Sequence, residues 1–528
     1  MKLNIFKYLS VVLFATVTIS CEDFLDKEPL SDVVPEDYYQ SEDQLQAVAN
    51  KLYADILPSH SNYSYGTFGT DNNTDNQTGL SANAKYTTGQ WKVGLDNGSW
   101  AWNNIRNINY SLNIMLDCYN RGKITGSNIN IRQYIGEMYF FRAYSYFDMF
   151  QKWGDLPIIK EAFPDDKAIL IAANKRSPRN EVARFILADL DSAKTYMSDK
   201  FDSKRNRLSP DVASLMKSRV ALFEGSWLNY FKGTAFVPNG TNWPGATKDY
   251  NANYKYPSGD IDAEIKYFFT EATKSAELVA EKYKGVLTQN TGLLPQSEAD
   301  PDNPYFSMFG SVDMSVYPDV LLWRQYNEGL GIVNNIEVAV QFANYAIGLT
   351  RGMVEGFVMK DGKPRYASHD GFSYNDETLS AVRKNADPRL YIFLKEPGQK
   401  NIFKNMSSEK EHSVENEPYP SILLSNSNAY VTGYAIRKGG TFNKELCSNG
   451  KGYVGSITFR ATEALLNYIE AKYQLTKDIS SDRILEYWSA IRTAAGFMNE
   501  AIDPRVTINA TDMEKEKGIG ELILLVCY

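Results

Sequence analysis

The stretch Tyr134–Ile159, YIGEMYFFRAYSYFDMFQKWGDLPII, carries the clearest structural signal in the chain. From Ile131 onward, apolar residues recur at the three- and four-residue spacing of one helix face. The residues Gly154-Asp155-Leu156-Pro157 then end the pattern, because glycine and proline terminate helices. We therefore predict one long helix that ends at Gly154.

Helical patterns continue on both sides of this stretch. Ser177-Pro178 and Ser209-Pro210 each combine a capping residue with a first-turn proline, so helices are predicted to start there. Further helices are predicted from Trp100, over Asp260–Tyr283, over Thr458–Thr476 and over Ser481–Gly496.

The segment from residue 286 to 457 differs, because glycine, proline, asparagine and aromatic residues interrupt every helical run. The sequence therefore predicts a mainly α fold. A scaffold of helical pairs covers about residues 31–285 and 458–518, and a long irregular, loop-rich insertion covers about residues 286–457. The pairs are tetratricopeptide-like in size, although the starts near 178, 210 and 260 do not keep a 34-residue period.

The N-terminus has the pattern of an export signal. Lys2 and Lys7 precede an uncharged run of 13 residues, Tyr8–Ser20, which is shorter than the about 20 residues that a membrane-spanning helix needs. Residues 1–20 are therefore predicted to be a secretory signal peptide. Cys21 follows the small residue Ser20, so we predict a bacterial lipoprotein whose lipid-bearing first residue is Cys21. The alternative is an ordinary signal peptide that ends near a cysteine.

Composition and motifs disfavour several functions. The net charge of −8 makes nucleic acid an unexpected partner, and four cysteines are too few for a disulfide framework. The three histidines are far apart in the sequence, and no HExxH, CxxC, GxSxG or phosphate-loop pattern occurs. Catalysis by histidine or a metal ion is therefore disfavoured, and we assign no catalytic residue, metal site or cofactor.

Six segments together carry a family resemblance. They are Cys21–Pro29 with Asp37-Tyr38-Tyr39, Trp100–Leu116, Tyr134–Ile159, Arg176–Ala193, Phe459–Tyr473 and Trp488–Gly496. The third is the most specific, with Glu137, Phe141-Arg142-Ala143 and the Gly154-x-x-Pro157 exit. In this order they resemble the SusD/RagB-like family, the surface glycan-binding lipoproteins of Bacteroidetes-type bacteria.

The resemblance implies one SusD-like domain over residues 21–528. Its fold would be a tetratricopeptide-like scaffold with a mostly irregular subdomain that faces the ligand. Its activity would be the binding of an oligosaccharide without chemistry, as a lid over a SusC-like TonB-dependent transporter. The protein would lie in the outer membrane and face the cell exterior, and the acids after Cys21 would be the export tag.

A sugar site needs a flat aromatic ring beside fixed amides or carboxylates. The loop Gly69–Trp91 offers both, and the resemblance also places ligand contacts near it. Trp91 is the predicted platform, and the predicted polar contacts are Asp71, Asn72, Asp75 and Asn76. The alternative is that Trp91 packs under the loop while the acids are solvated turn residues.

Other residues are candidates for contact with the sugar. Trp243, in an Asn-Gly-Thr-Asn-Trp-Pro-Gly loop, is a second predicted platform. Arg351 and Tyr366 are plausible contacts without a specific signal, and Trp323-Arg324-Gln325-Tyr326 is predicted to be structural. Glu137 and Arg142 are predicted to brace neighbouring helices.

The polar loop also has a weak calcium-loop pattern. Asp71, Asn73, Asp75 and Gln77 alternate as oxygen ligands would. The sixth position is Asn76 rather than glycine, and the twelfth is Ala82 rather than glutamate, so structural calcium is only weakly supported.

Two other function classes stay open. Helical pairs commonly bind peptides along a concave face, which would make the chain a protein–protein scaffold. A glycoside hydrolase would need two paired carboxylates, and nothing marks such a pair among the 64 acids.

The C-terminus departs from the family pattern. Family members continue into a basic, aromatic region with an Arg-Arg-Glu-Arg core, whereas residues 519–528 are abruptly apolar. One DNA string encodes this tail in one reading frame and a family-like continuation in another. We therefore interpret residues 519–528 as a frameshifted tail on a C-terminally truncated chain.

Overall fold

The computed structural model describes residues 38–61, 65–80, 87–90, 100–297, 299–342, 347–369, 371–401, 415–423, 429–447 and 449–516. The predicted signal peptide, Cys21, Trp91 and the tail 519–528 lie outside these residues, so their predictions stay untested.

Long helices build most of the described chain. They are α1 (Glu42–Ile56), α2 (Asn103–Asn120), α3 (Asn128–Trp153), the shorter α4 (Lys167–Ala173), α5 (Arg179–Tyr196), α6 (Pro210–Tyr230) and α7 (Ile261–Tyr283). Before the last scaffold helices come the short α8 (Pro304–Ser307), α9 (Ile336–Phe342), α10 (Arg351–Gly356), α11 (Leu379–Lys384) and α12 (Pro388–Phe393). The chain returns to the scaffold in α13 (Ala461–Thr476), α14 (Asp482–Ala495) and α15 (Arg505–Glu516). The prediction of a mainly α fold is confirmed.

Local signals set the helix ends. The side chain of Ser209 accepts a hydrogen bond from the Val212 amide at the start of α6, and Asp260 does the same for Ala263 at the start of α7. Gly154 ends α3 with φ 68°, a left-handed conformation that favours glycine. These predicted boundaries are confirmed.

The predicted cap at Ser177 is wrong. Helix α5 begins at Arg179 after Pro178, and the backbone of Ser177 pairs with Leu156 instead. The carboxylate of Asp155 accepts the hydrogen bond of the Arg179 amide at 2.9 Å. The cap therefore comes from the turn that ends α3, 24 residues earlier in the chain.

Helix α3 lies at the centre of the scaffold core, which it shares with α1, α2 and α5. Helices α5, α6, α7, α13 and α14 then pack successively against one another. Two of the charged residues of α3, Glu137 and Arg142, are buried. Arg142 forms a two-pronged ion pair with Asp189 of α5, with both N–O distances 2.7 Å, and Glu137 pairs with Arg207 just before α6. The prediction that Glu137 and Arg142 brace neighbouring elements is confirmed.

The segment from 286 to 457 has small cores of its own. Three short antiparallel ladders cross its described part or tie it to other segments: β1 (Gln77–Thr78) with β3 (Gly348–Leu349), β2 (Val320–Arg324) with β6 (Ser456–Arg460), and β4 (Lys400–Asn401) with β5 (Glu415–Asn416). Trp323 of β2 is buried and donates from Nε1 to the Lys204 carbonyl at 2.7 Å, so its structural role is confirmed. No described helix combines the length and the apolarity that a membrane crossing needs.

Glu337 is a fully buried carboxyl group inside this segment. Glu337 on α9 accepts hydrogen bonds from the Thr441 amide at 2.9 and 3.0 Å and from Gln341 Nε2 at 2.8 Å. Burial nevertheless raises the pKa of Glu337 from 4.5 to about 8, which keeps the carboxyl protonated at neutral pH.

We expect Arg142→Met to lower the free energy of unfolding by about 3–5 kcal/mol, because it leaves Asp189 buried without its counterion. The matched control is Arg121→Met, which breaks an exposed pair with Asp117 and is expected to cost no more than about 1 kcal/mol. Urea unfolding followed by circular dichroism measures both. Equal losses in the two variants would contradict the bracing role of Arg142.

We expect Glu337 to contribute a fall in the free energy of unfolding as pH rises from about 4.5 to about 8, because unfolding releases the proton that folded Glu337 holds. This contribution is complete below pH 4.5 and is lost as pH passes about 8, with a slope of up to about 1.4 kcal/mol per pH unit. Glu337→Gln should flatten that slope in urea titrations. Exposed Glu328→Gln is the control and should keep it.

Candidate functional site

The predicted polar loop forms a tight turn on the surface. Thr74 Oγ1 donates to the Asp71 carbonyl at 2.7 Å, and Asn73 takes a left-handed φ of 65° that asparagine tolerates. Gln77 is buried beneath the turn and donates from Nε2 to the Phe68 carbonyl at 2.9 Å. This geometry leaves Asp71 and Asp75 exposed, while Asn72 and Asn76 are partly exposed.

The turn is fastened to α10 by main-chain bonds. Gln77 and Thr78 of β1 pair with Leu349 and Gly348 of β3. The next residue, Thr350, donates its amide to the Asn76 carbonyl at 2.9 Å and its hydroxyl to the Asp75 carbonyl. The same hydroxyl accepts the Met353 amide at 3.1 Å and so caps α10. Thr350 therefore fixes the turn and the first turn of α10 together.

Exposed Arg351 follows directly and is held by two carboxylates. Its Nε lies 2.8 Å from Glu355 Oε1, and its Nη2 lies 2.6 Å from Asp376 Oδ2. Arg365 pairs with the same Glu355 at 2.7 Å and lays its guanidinium over the Tyr374 ring, 4.4 Å from the centroid. Arg365 and Arg351 hold the pKa of Glu355 below its ordinary value. The result is a fixed, charged network beside Asp75.

Two further strips of chain extend this surface. The Leu349 amide donates to the Tyr434 carbonyl at 2.9 Å, and a Cβ on Gly348 would lie 2.4 Å from Thr432 Oγ1, so only glycine fits there. On the other side of this strip, Ile422 Cγ2 lies 3.8 Å from the Cβ position of Gly433. The neighbouring Tyr419 is 84% exposed.

We call this continuous region the loop-71 surface. It comprises residues 71–76, 350–355, 365–369, 371–376, 419–423 and 432–434. It brings together four of the predicted contacts, Asp71, Asn72, Asp75 and Asn76, with Arg351. Tyr366 lies within the same region and is 43% exposed.

The prediction of Trp243 as a second platform is wrong. Its side chain is only 3% exposed, and its Nε1 donates to Asp155 Oδ2 at 2.9 Å. A Cβ on Gly245 would lie 2.1 Å from the Trp243 ring, and Tyr254 covers another part of it at a centroid distance of 5.9 Å. Gly245 and Tyr254 together leave no open face of the Trp243 ring on which a sugar could stack. Trp243 is therefore a packing residue.

Sequence reasoning missed part of the surface. Asp376, Tyr374 and Tyr434 carry no motif, and they meet Arg351 only through the fold. Tyr419 had a usable signal, since its two proline neighbours, Pro418 and Pro420, favour an exposed turn. Within the described residues no group of three or more acidic, histidine or cysteine side chains could hold a metal ion, and structural calcium stays a prediction.

Comparison with known families gives two matches. The model SusD-like_3, described as "Starch-binding associating with outer membrane", matches residues 23–222. The model SusD_RagB, described as "SusD family", matches residues 332–515. Together they span well over half of the chain.

Two curated relatives come from Formosa agariphila. SusD-like protein P25 is 24% identical over 42% of this chain and 44% of the relative, and SusD-like protein P2 is 28% identical over 44% and 46%. The chain thus spans a little under half the length of these relatives.

Solved structures share the fold. A SusD-like carbohydrate-binding protein from Bacteroides fragilis has a TM-score of 0.60 at 16% identity, covering 88% of this chain and 80% of that one. A laminarin-binding SusD-like protein has a TM-score of 0.52 at 13% identity, covering 90% and 88%.

We expect Thr350→Val to speed amide hydrogen exchange in peptides covering residues 71–80 and 350–356 by about fivefold, because the hydroxyl bonds to Asp75 and Met353 disappear. Thr378→Val removes an equivalent cap, at the Ala381 amide, without contact to the loop. Exchange measured by mass spectrometry should therefore change at residues 71–80 only in Thr350→Val. An unchanged loop in that variant would contradict the fastening role of Thr350.

Proposed function

Because this chain belongs to the SusD family, we propose that it is a non-catalytic lipoprotein of the outer membrane that binds an oligosaccharide at the cell surface. It then delivers the sugar to a SusC-like TonB-dependent transporter. The observation that carries the proposal is the pair of family matches, which lie in both parts of the scaffold and in the irregular segment.

The chemistry of the loop-71 surface supports a sugar as the ligand. Sugar hydroxyls both donate and accept hydrogen bonds, so they suit carboxylates, amides and guanidinium groups that are held in place. Asp75 can accept, Asn76 can do both, and Arg351 can donate. Arg351 is pre-positioned by Glu355 and Asp376, which reduces the entropy lost when it binds.

Aromatic rings complete a sugar site by covering the apolar face of the pyranose. Trp91 is our proposed platform, since it ends the loop that carries Asp71 and Asn76. Tyr419 is a second proposed platform because it is 84% exposed and lies in the same segment as Ile422, which approaches Gly433. The backbone before Tyr419 is held in place, because Glu417, two residues earlier, is buried beside Lys395 and Asn401.

The anchor and the domain limits belong to the same proposal. Residues 1–20 are removed, Cys21 carries the lipid, and residues 21–528 form one SusD-like domain whose insertion of about residues 286–457 faces the ligand. Each buried methylene contributes about 0.8 kcal/mol, so stable anchoring needs more than one acyl chain on Cys21.

The test is a glycan array on the purified mature chain, followed by calorimetry with the glycan that binds. Arg351→Ala should weaken binding at least about tenfold, because a hydrogen bond from a charged group contributes about 1.5–3 kcal/mol. Arg121→Ala is the control, since Arg121 is equally exposed and lies on α2.

Each other outcome contradicts the proposal in its own way. Release of reducing sugar would identify a glycoside hydrolase. Capture of peptides without binding of any glycan would favour a protein–protein scaffold. Unchanged affinity in Arg351→Ala would remove the loop-71 surface as the site.

A further inference from the structure

Lys438 lies beneath the loop that carries Asp71. Its Nζ is 4.4 Å from the centroid of the Phe309 ring and 5.6 Å from that of Phe68, which precedes the loop. Lys438 as a whole residue is neither fully buried nor fully exposed. In the part of the chain that the structure describes, no carboxylate forms an ion pair with Lys438 and no group hydrogen-bonds its ammonium.

The surroundings of this ammonium are cationic. The guanidinium of Arg460 on β6 lies 5.4 Å from the centroid of the same Phe309 ring. The positive charge of Arg389 on α12 also repels the Lys438 ammonium. Burial, then Arg460 and Arg389, lower the pKa of Lys438 from 10.5 to about 8, while Asp71 opposes this shift. The ammonium is therefore held where its charge is not compensated.

The nearby carboxylates are already engaged. Asp319 accepts from Arg460 at 2.7 Å, and Asp387 holds Arg389 through two bonds of 2.8 and 3.0 Å. Asp71 is exposed and accepts from Asn76 Nδ2 at 3.3 Å. None of the three neutralises Lys438 directly.

Packing alone does not account for a charge at this position. Cation–π contact contributes about 0.5–2 kcal/mol, whereas a crowded, unpaired charge is costly, and methionine would cover both rings without that cost. An anion that reaches the ammonium would compensate its charge and form a charge-assisted hydrogen bond.

We propose that Lys438, which lies next to Asp71 of the loop-71 surface, is an anion-recognition residue, and that the bound glycan carries a carboxylate or a sulfate group. The inference rests on the proposed function and narrows its ligand class to acidic glycans. The carboxylate of Asp71 lies close to Lys438 and repels anions. The anionic group of the sugar is therefore placed at Lys438 and away from Asp71.

Three probes test the proposal at pH 6.5 with the mature chain: polygalacturonate for the carboxylate, a sulfated galactan for the sulfate, and neutral laminarin. The wild type should bind one acidic probe, and Lys438→Met should weaken that binding at least tenfold. Exposed Lys451→Met is the matched control and should stay within twofold. Lys438→Met should melt at or above the wild-type temperature, because no ion pair is lost.

The pH profile gives an independent readout. Wild-type affinity for the acidic probe should fall between pH 7 and pH 9, as the ammonium loses its proton near pH 8. Lys438→Arg keeps its charge, so its affinity should stay flat and exceed that of the wild type at pH 9. This variant tests the proposal even where Lys438→Met does not fold.

The two proposals fail separately. Binding of laminarin alone, with Lys438→Met unaffected, overturns the role of Lys438 and leaves the proposed function in place. A flat wild-type pH profile for an acidic probe also overturns it. Absence of binding to every glycan contradicts the proposed function itself.

Discussion

The burial of two charged side chains on α3 determines how the scaffold assembles. Glu137 is fully buried and Arg142 is 5% exposed, so each must meet an opposite charge inside the core. Apolar helix faces pack in several registers with similar area, whereas a two-pronged ion pair forms in only one. The contacts of Glu137 with Arg207 and of Arg142 with Asp189 therefore select one register of α3 against its neighbours.

Ion pairs between helices recur along the scaffold and lead to the irregular segment. Arg179 joins α5 to Glu224 on α6, Arg184 joins α5 to Glu264 on α7, and Arg219 joins α6 to Glu463 on α13. Helix α13 follows directly on β6, which pairs with β2. These ion pairs therefore connect α3 through α5 and α6 to α13, and so to β6, the strand that holds the insertion.

Local patterns predicted the scaffold because helix caps and periodicity act within a few residues. Ser209, Asp260 and Gly154 illustrate this, and the error at Ser177 arose because its helix is capped by Asp155 from a different turn. Trp243 was misjudged for a related reason. Its loop was evident from the sequence, but the direction of the ring depends on Asp155, 88 residues away. Arg351 could not be assigned either, since Thr350 meets Asp75 across 275 residues.

The loop-71 surface is held together mainly through the backbone. The side chains proposed to bind the ligand are therefore not the groups that hold the surface together. Gln77 pairs with Leu349, Thr350 with Asn76, and Leu349 with Tyr434 through main-chain bonds, and the Thr350 hydroxyl adds a bond to the Asp75 carbonyl. The outward side chains of Asp75 and Arg351 are therefore not required for the core. Because exposed ion pairs contribute little to stability, the network around Arg351 adds little to the stability of the fold, in keeping with the proposed role of Arg351 as a donor. If this surface binds the glycan as proposed, its exposed side chains can change while the buried ion pairs of the scaffold stay fixed.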